Sequence, residues 1–543
     1  MGINCPSCGG KMTFNIADQV LVCEFCDTRI AVKNYKSNNE AEEQKATYDS
    51  VVFTCRNCGA ELTAPDEQTV AYCSYCGSEQ MLTAKHEQLL RPKRIIPFKK
   101  SKEQAKEEYA KALKGKLYVP KEFKDSAFLE GFRGIYLPYY SYNAQISEKS
   151  LSLKGHKEYS SGNYDYSEDY DIYATVGGRT QDVTFDASSA FDDTLANEIA
   201  PFEAKGLEDF HEGYLAGLYA DKATTTGGTY LEMAKELVAD SVFTDIGKKI
   251  KSIKIDRAKS EEEEIRTLGI GAIDCDVSYF PVWFLTWRNK KRVAYSVMNG
   301  QTGKLAVDIP VNKGTFFLVS LIAAAVLFGL LSILPMFILP KLICVIAGIL
   351  LLISSIVLRS EIKRIYERES HIYDYGDTLH TAKKKKLDPK LSADGPKKTK
   401  SGKKKSYAWI GWLIPLAYIA FYFLFYAGRG AMALVDILSG SYTVFFVILI
   451  PIQIVFSILT IIDASKIQRK TAIIPAVIAP AIVIAGIIIG AVNSPFDYWH
   501  YGVAIACLIA MIINGISCIN YFNYLTTRPV PNFFRREGAN NEK

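Results

Sequence analysis

Behind residue 314 the chain carries six apolar runs, at 315–334, 340–358, 408–427, 441–462, 472–492 and 501–521. Each is about twenty residues long and free of Asp, Glu, Lys and Arg, apart from Lys341 and Arg429 at the edges. A helix of that length crosses a hydrocarbon core of roughly 30 Å. One such run can be a buried core helix; six in succession exclude that reading. The rear of the chain is therefore expected to be an all-α transmembrane region of six helices, a hairpin over 315–358 and a group of four over 408–522.

Lysine and arginine placement gives the orientation. The loop 359–407 holds Lys383–Lys405, a stretch with eleven lysines against Asp388 and Asp394. The next loop on that side, 463–471, carries Lys466, Arg469 and Lys470, and the tail 523–543 carries Arg528, Arg535 and Arg536. The opposing loops are nearly uncharged. The alternation puts both termini and both basic loops in the cytoplasm. Trp409, Trp412, Tyr498 and Trp499 fall near span ends, where an aromatic belt belongs. The lysine stretch also suits anionic lipid headgroups, at about 1 kcal/mol per basic residue near the surface.

The front of the chain is polar and opens on a repeated cassette. Cys5, Cys8, Cys23 and Cys26 follow the pattern C-x2-C, fourteen residues, C-x2-C, and Cys55, Cys58, Cys73 and Cys76 repeat it. Four thiolates make a tetrahedral zinc site, with each sulfur about 2.3 Å from the metal. A C-x2-C turn supplies two sulfurs, and a short hairpin brings two such turns together. Gly9, Gly59 and Gly77 follow their turns, where a positive φ is useful. Disulfides would need an oxidising compartment, and no leader-like segment precedes Cys5. Two structural Zn²⁺ sites with no open coordination position are expected, in zinc ribbons at 1–35 and 50–85. Domains that small need the metal in order to fold. Cys275, Cys344, Cys507 and Cys518 are scattered and read as small hydrophobic residues.

Between the ribbons and the membrane, 91–310 reads as one α+β cytoplasmic domain. Ser101 caps a helix that Gly115 stops. Aromatic strands are expected at 127–147 and 275–288, and "IYLPYYSY" in the first resembles "SYFPVWFL" in the second, which hints at a duplication. Residues 161–212 are acidic and tyrosine-rich, a helix is expected from about 227 to 251, and a hairpin turns at Asn299-Gly300. The fold class is thus multidomain.

The net charge of +6 would fall to about +2 with eight thiolates and two zinc ions, so the chain is not globally basic. No phosphate-binding loop, dinucleotide fingerprint, metalloprotease motif or nucleophile elbow is present, and no enzymatic activity is expected. The spans lack the ionisable residue that carriers usually keep inside the membrane; Gln453 and Asn514 are the polar candidates for such a role, and hydrogen bonds between helices explain them as well.

"CPSCGGKM…CEFC", taken with "IIPFKKSKEQAKEEYAKAL…FRGIYLPYYSYNA" and "CDVSYFPVWFLTWRNKKRVAYSVMNGQTGKLAVDIP", resembles a family of bacterial zinc-ribbon membrane proteins labelled TFIIB-type or likened to the primosomal helicase. The resemblance covers roughly 1–360. The helicase label would imply an ATPase, which the missing phosphate loop contradicts. The resemblance implies an anchor in the bacterial inner membrane for cytoplasmic stress proteins of the phage-shock or SPFH kinds. The expected function is a scaffold whose ribbons recruit a cytoplasmic protein, with self-association into a homo-oligomer left open. The alternatives are a transporter or channel with a zinc-ribbon head, and a membrane-tethered nucleic-acid binder using Lys11, Arg56, Arg91, Lys93 and Arg94. The acidic 161–212 weighs against nucleic acid.

Overall fold

The computed structural model describes residues 3–35, 46–65, 73–79, 83–161, 164–188, 190–250, 253–257, 261–271, 273–333, 340–369, 442–466, 473–492, 496 and 498–533. The first cassette folds as a small antiparallel sheet of β1 (Met12–Asn15), β2 (Val20–Cys23) and β3 (Arg29–Ala31). It sits on the rest of the head rather than apart from it. Phe14 N–H donates to Ala216 O at 3.0 Å, and Gln19 Nε2 donates to Phe98 O at 2.7 Å. Met12, Phe14 and Leu21 share one core with Phe98, Tyr109 and Trp283.

The second cassette corrects the expected boundaries. It is not a separate ribbon over 50–85, because its strands β4 (Thr47–Thr54), β5 (Glu61–Ala64) and β6 (Thr83–Leu90) belong to the main sheet. Cysteine spacing shows a metal knuckle but not which strand the intervening chain pairs with, and that pairing is long-range. Next come β7 (Arg94–Ile95) and α1 (Lys102–Leu113), whose cap is Ser101 as expected. Gln104 N donates to Ser101 Oγ and Ser101 N to Gln104 Oε1, a reciprocal capping box. Gly115 ends the turn at φ +78°. The short α2 (Ser126–Leu129) then leads into β8 (Arg133–Ser161).

β8 is a strand of 29 residues that forms a long hairpin with β9 (Tyr164–Asp186). There follow α3 (Asp193–Ile199), β10 (Glu208–Asp209), β11 (Tyr219–Asp221), α4 (Leu231–Lys249), β12 (Lys254–Ile255), α5 (Glu261–Leu268), β13 (Ile273–Asn289), β14 (Arg292–Asn299) and β15 (Leu305–Val307). With β16 (Arg528–Pro529) from the tail, thirteen described strands form one sheet along the path β10-β7-β13-β8-β11-β5-β4-β6, the others branching from it. Helices α4 and α5 cover the basal part of the β8–β9 hairpin, where Ile146, Leu151 and Val176 meet Val238, Phe243 and Leu268. The acidic run Glu261–Glu264 opens α5 and is solvated only in part: Glu264 is 4 % exposed and accepts from both Nε and Nη2 of Arg257.

The two similar aromatic stretches are partners at the centre of the sheet. β8 and β13 run antiparallel with Leu137 opposite Phe280, so Pro138 faces Tyr279 and Pro281 faces Tyr136. Each strand takes a short parallel neighbour just before its proline: β11 beside Ile135 and Tyr136, β7 beside Ser278 and Tyr279. Each takes its hairpin partner just after it, β9 from Tyr139 and β14 from Val282. Proline has no N–H to donate, so it stands where the outer neighbour changes. The arrangement is a local two-fold about Leu137 and Phe280. Tyr136 and Tyr279, equivalent under it, stack at 6.3 Å and 25°.

The hairpin expected at 292–310 forms, but its turn spans Asn299–Lys304 and the positive φ lies at Gly303 rather than Gly300. Asn299 Oδ1 accepts from Gln301 N and Thr302 N. Gly300 is small for a different reason: a Cβ there would lie 2.5 Å from the Phe98 ring.

Beyond the head lie α6 (Lys313–Ile333), α7 (Pro340–Glu369), α8 (Tyr442–Lys466), α9 (Ile473–Val492) and α10 (Tyr498–Leu525). Three of them, α6, α7 and α10, are long and apolar enough to cross a bilayer, while α8 and α9 hold the shorter apolar stretches Pro451–Ser465 and Ile473–Gly486. Three such helices, not six, are thus present among the described residues. The run 408–427, the lysine stretch, Trp409 and Trp412 lie outside them. α7 also runs past 358, where a loop was expected, to Glu369. Its charged end is held by Arg359 against Asp463 and Arg364 against Glu361. Of the two readings of Gln453 and Asn514, the structure shows the bridging one: they donate to Ser355 Oγ at 3.2 Å and Ser354 Oγ at 2.9 Å on a neighbouring helix.

Helices α7, α8 and α10 run parallel. Ser355 meets Gln453 and Arg359 meets Asp463, so α8 advances with α7. Cys344 meets His500 and Ser354 meets Asn514, so α10 does the same. α9 runs the other way, with Ile473 beside the C-terminal end of α7.

Candidate metal centres

Each C-x2-C knuckle is built by one backbone pattern. The first cysteine's N–H donates to the carbonyl five residues on, as from Cys5 to Gly10, Cys55 to Ala60 and Cys73 to Ser78. Its carbonyl accepts from the residue four on: Gly9, Gly59 and Gly77, with φ of +75°, +76° and +63°. The knuckle of Cys23 and Cys26 does the same through Asp27, at φ +52°. Asp tolerates this region better than most side chains, which is why glycine spacing alone did not mark it.

The knuckles close into two clusters. Cys5, Cys8, Cys23 and Cys26 place their sulfurs within 4.8 Å of one another, and so do Cys55, Cys58, Cys73 and Cys76. The Cys5–Cys26 and Cys8–Cys23 separations are 3.6 and 3.5 Å, and Cys55–Cys76 and Cys58–Cys73 are each 3.7 Å. Disulfide bonds would be near 2.0 Å. A tetrahedron with metal–sulfur bonds of about 2.3 Å has edges of about 3.8 Å, so the donor sets fit a divalent ion.

Crowding four thiols raises the cost of ionising them together. Burial works against ionising Cys5, yet hydrogen bonds from the Ser7 and Cys8 backbone bring it down to about 6. Its neighbour Cys8 accepts from the Gly10 backbone but is pushed up to about 12 by Cys26 and Cys23. In the second cluster Cys58 and Cys73 lower Cys55 to about 7, while Cys55 and Cys58 raise Cys73. A bound cation removes this conflict by holding every sulfur as thiolate.

The clusters differ in their surroundings. In the first, Cys8 and Cys26 are exposed, and Phe25 between the ligands is 78 % exposed. In the second all four cysteines are fully buried, and the sheet and tail take up the knuckle carbonyls. Thr286 Oγ1 donates to Ser74 O, Tyr295 Oη to Tyr75 O at 2.5 Å, and Arg288 Nη1 to Cys76 O at 3.2 Å. Phe533 N–H donates to Cys58 O at 2.7 Å. Tyr75 also reaches Asp221, which accepts its hydroxyl at 2.6 Å together with the Ser188 hydroxyl and Lys222 N–H. Burial holds Asp221 up at about 6 despite those donors.

Sequence spacing locates all eight cysteines but none of Thr286, Arg288, Tyr295, Asp221 or Phe533, because each arrives from a distant strand or from the tail. Of the basic residues considered for phosphate contact, Arg91 pairs with Glu212 at 3.1 Å and Lys93 with Asp276 at 2.9 Å.

No family model and no solved structure matches the chain. It is similar to the Uncharacterized protein YdjG of Bacillus subtilis (strain 168), 26% identical over 317 residues, which is 57% of this chain and 90% of that protein.

Proposed function

We propose that the protein is a non-enzymatic membrane anchor and scaffold: both clusters hold zinc, the first ribbon is the docking module, and the second is a structural staple. The observation that carries this is the asymmetry of the clusters. Phe25 stands exposed between two ligands of the first, an apolar group on a rigid knuckle, as protein–protein contacts favour. The second is sealed by its own fold. This revises the expectation that both cassettes recruit, and it separates the two uses of zinc.

The topology proposed is six spans with both termini cytoplasmic. Connectivity supports it. The C-terminal end of α7 and the N-terminal end of α8 lie at opposite ends of a parallel pair, the arrangement that a further crossing between the two helices would leave. The run 408–427 has the length and composition for that passage. The head joins α6 at one end and meets the chain leaving α10 at the other, which supports an even number of crossings. The lysine stretch would then lie against anionic headgroups on the cytoplasmic side.

The partner proposed is a cytoplasmic protein, with the SPFH and phage-shock kinds as first candidates from the family resemblance. Arg91 and Lys93 are engaged in ion pairs, and the exposed hairpin β8–β9 is acidic, which favours protein over nucleic acid. The bridging of Gln453 and Asn514 to serines favours an anchor over a pore.

The test is a crosslinked pull-down from native membranes comparing the wild type with Phe25→Ala and with Cys8→Ser/Cys26→Ser. Both variants should insert normally and lose the same specific protein. An unchanged set of captured proteins in both would overturn the docking role of the first ribbon.

A further inference from the structure

The last described residues of the chain lie across the second metal cluster. On leaving α10 the chain is gripped by Arg292, whose guanidinium donates to Tyr524 O at 2.8 Å, Thr527 O at 2.6 Å and Thr527 Oγ1 at 2.6 Å. β16 then pairs with β14, Arg528 opposite Val293 and Pro529 opposite Arg292. The Arg528 guanidinium, 13 % exposed, is held by Asp192 and Asp308. Val530 N–H donates to Lys291 O at 3.0 Å. Phe533, the last described residue, touches both knuckles. Its N–H reaches Cys58 O in one, and its ring packs edge-on at 6.0 Å against Tyr75, between the ligands Cys73 and Cys76, in the other.

We propose that the second metal centre holds the far end of the strap, Val530–Phe533, on the sheet, so that metal loss at this centre, and not at the first, frees that end. The physical link is short. A C-x2-C knuckle keeps its carbonyls and intervening side chain in place only while its two sulfurs are tied to a common ion. Cys58 O and Tyr75 are the two seats of Phe533, and they lie on opposite knuckles of one cluster, so losing the ion moves both. The ion pairs of Arg528 remain but hold only the near end of the strap. The dependence runs both ways: the strap covers Cys58 and Tyr75, so removing its far end exposes the cluster to reagents. The proposal rests on the metal reading but not on partner docking.

The experiment uses the full chain in lipid nanodiscs. Metal content is measured first, and fewer than two ions per chain overturns the proposal while leaving the pull-down of the first ribbon to be judged separately. Amide hydrogen exchange of 526–533 is then followed in the metal-loaded protein, after full chelation, and in Cys8→Ser/Cys26→Ser, which removes only the first ion. Exchange at Val530 and Phe533 should rise at least tenfold on full chelation and stay unchanged in the first-cluster variant. Phe533→Ala, which leaves every ligand in place, should speed release of the second ion about tenfold and leave release of the first unaltered. Unchanged exchange in this segment after full chelation, equal loss of protection in the first-cluster variant, or wild-type release from Phe533→Ala would each overturn it.

Discussion

The surroundings of the two clusters predict that bound metal leaves them at very different rates. In the first, Cys8 and Cys26 face solvent, so a chelator or alkylating reagent reaches sulfur without any rearrangement. In the second all four sulfurs are fully buried. Reaching them requires a local opening in which the capped carbonyls of Cys58, Ser74, Tyr75 and Cys76 give up their donors. At about 1 kcal/mol net for each of these four hydrogen bonds, the opening costs about 4 kcal/mol, or about a thousandfold in rate. The assay mixes purified full-length protein with excess chromogenic chelator and a thiol-alkylating reagent, with mass spectrometry locating the label over time. Two kinetic phases of one ion each are expected, with Cys5, Cys8, Cys23 and Cys26 alkylated in the fast phase and Cys55, Cys58, Cys73 and Cys76 in the slow one. A single phase, or labelling of Cys55–Cys76 as fast as that of Cys8, would refute the argument that the sheet seals the second centre.

Asn299→Ala should destabilise the head by about 2–4 kcal/mol in chemical denaturation, because this buried side chain accepts from Gln301 N and Thr302 N and donates to Ile199 O and Pro201 O. Gly300→Ala places a Cβ 2.5 Å from Phe98 and 2.9 Å from Pro281, and thermal unfolding should show a loss of about 1–3 kcal/mol. Gln453→Leu removes one hydrogen bond to Ser355 and should cost under about 1 kcal/mol, with membrane insertion unchanged by fractionation. Asp221 holds its proton up to about 6 when folded against 3.8 as its ordinary value, so it binds protons more tightly in the folded state and opposes folding increasingly as pH rises from about 4 through about 6. Asp221→Asn should therefore gain stability relative to wild type across that window, by on the order of 3 kcal/mol at most, read as the difference between the two proteins' denaturant midpoints.

Much of the local structure was legible in the sequence, and the limits have a common cause. The Ser101 cap, the strand at Ile273–Asn289, the helix at Leu231–Lys249 and the Asn299 turn all follow from neighbours within a few residues. The cysteine spacing marked all eight clustered cysteines for the same reason: a knuckle is a local object. The sheet is not. β5 joins β11 through Thr63 and Ala220, and that contact merges the second cassette with the middle domain although nothing near Cys55 announces it. The likeness of "IYLPYYSY" and "SYFPVWFL" was visible, but that the two stretches face each other about a dyad depends on the register of β8 against β13. The extension of α7 to Glu369 was hidden because Arg359 and Glu361 read as the start of a basic loop until Asp463 and Arg364 supply their partners.

The pairing of β16 with β14 also sets an order of events during synthesis. β14 is translated before any apolar helix, whereas Arg528 and Phe533 emerge only after α10 is complete. The head therefore waits with part of the β14 edge uncovered and the Cys58 carbonyl without its donor until the segment after α10 has been made. Pairing of β16 with β14 thus comes late, and it ties the segment that follows α10 to a sheet whose other strands were made before α6.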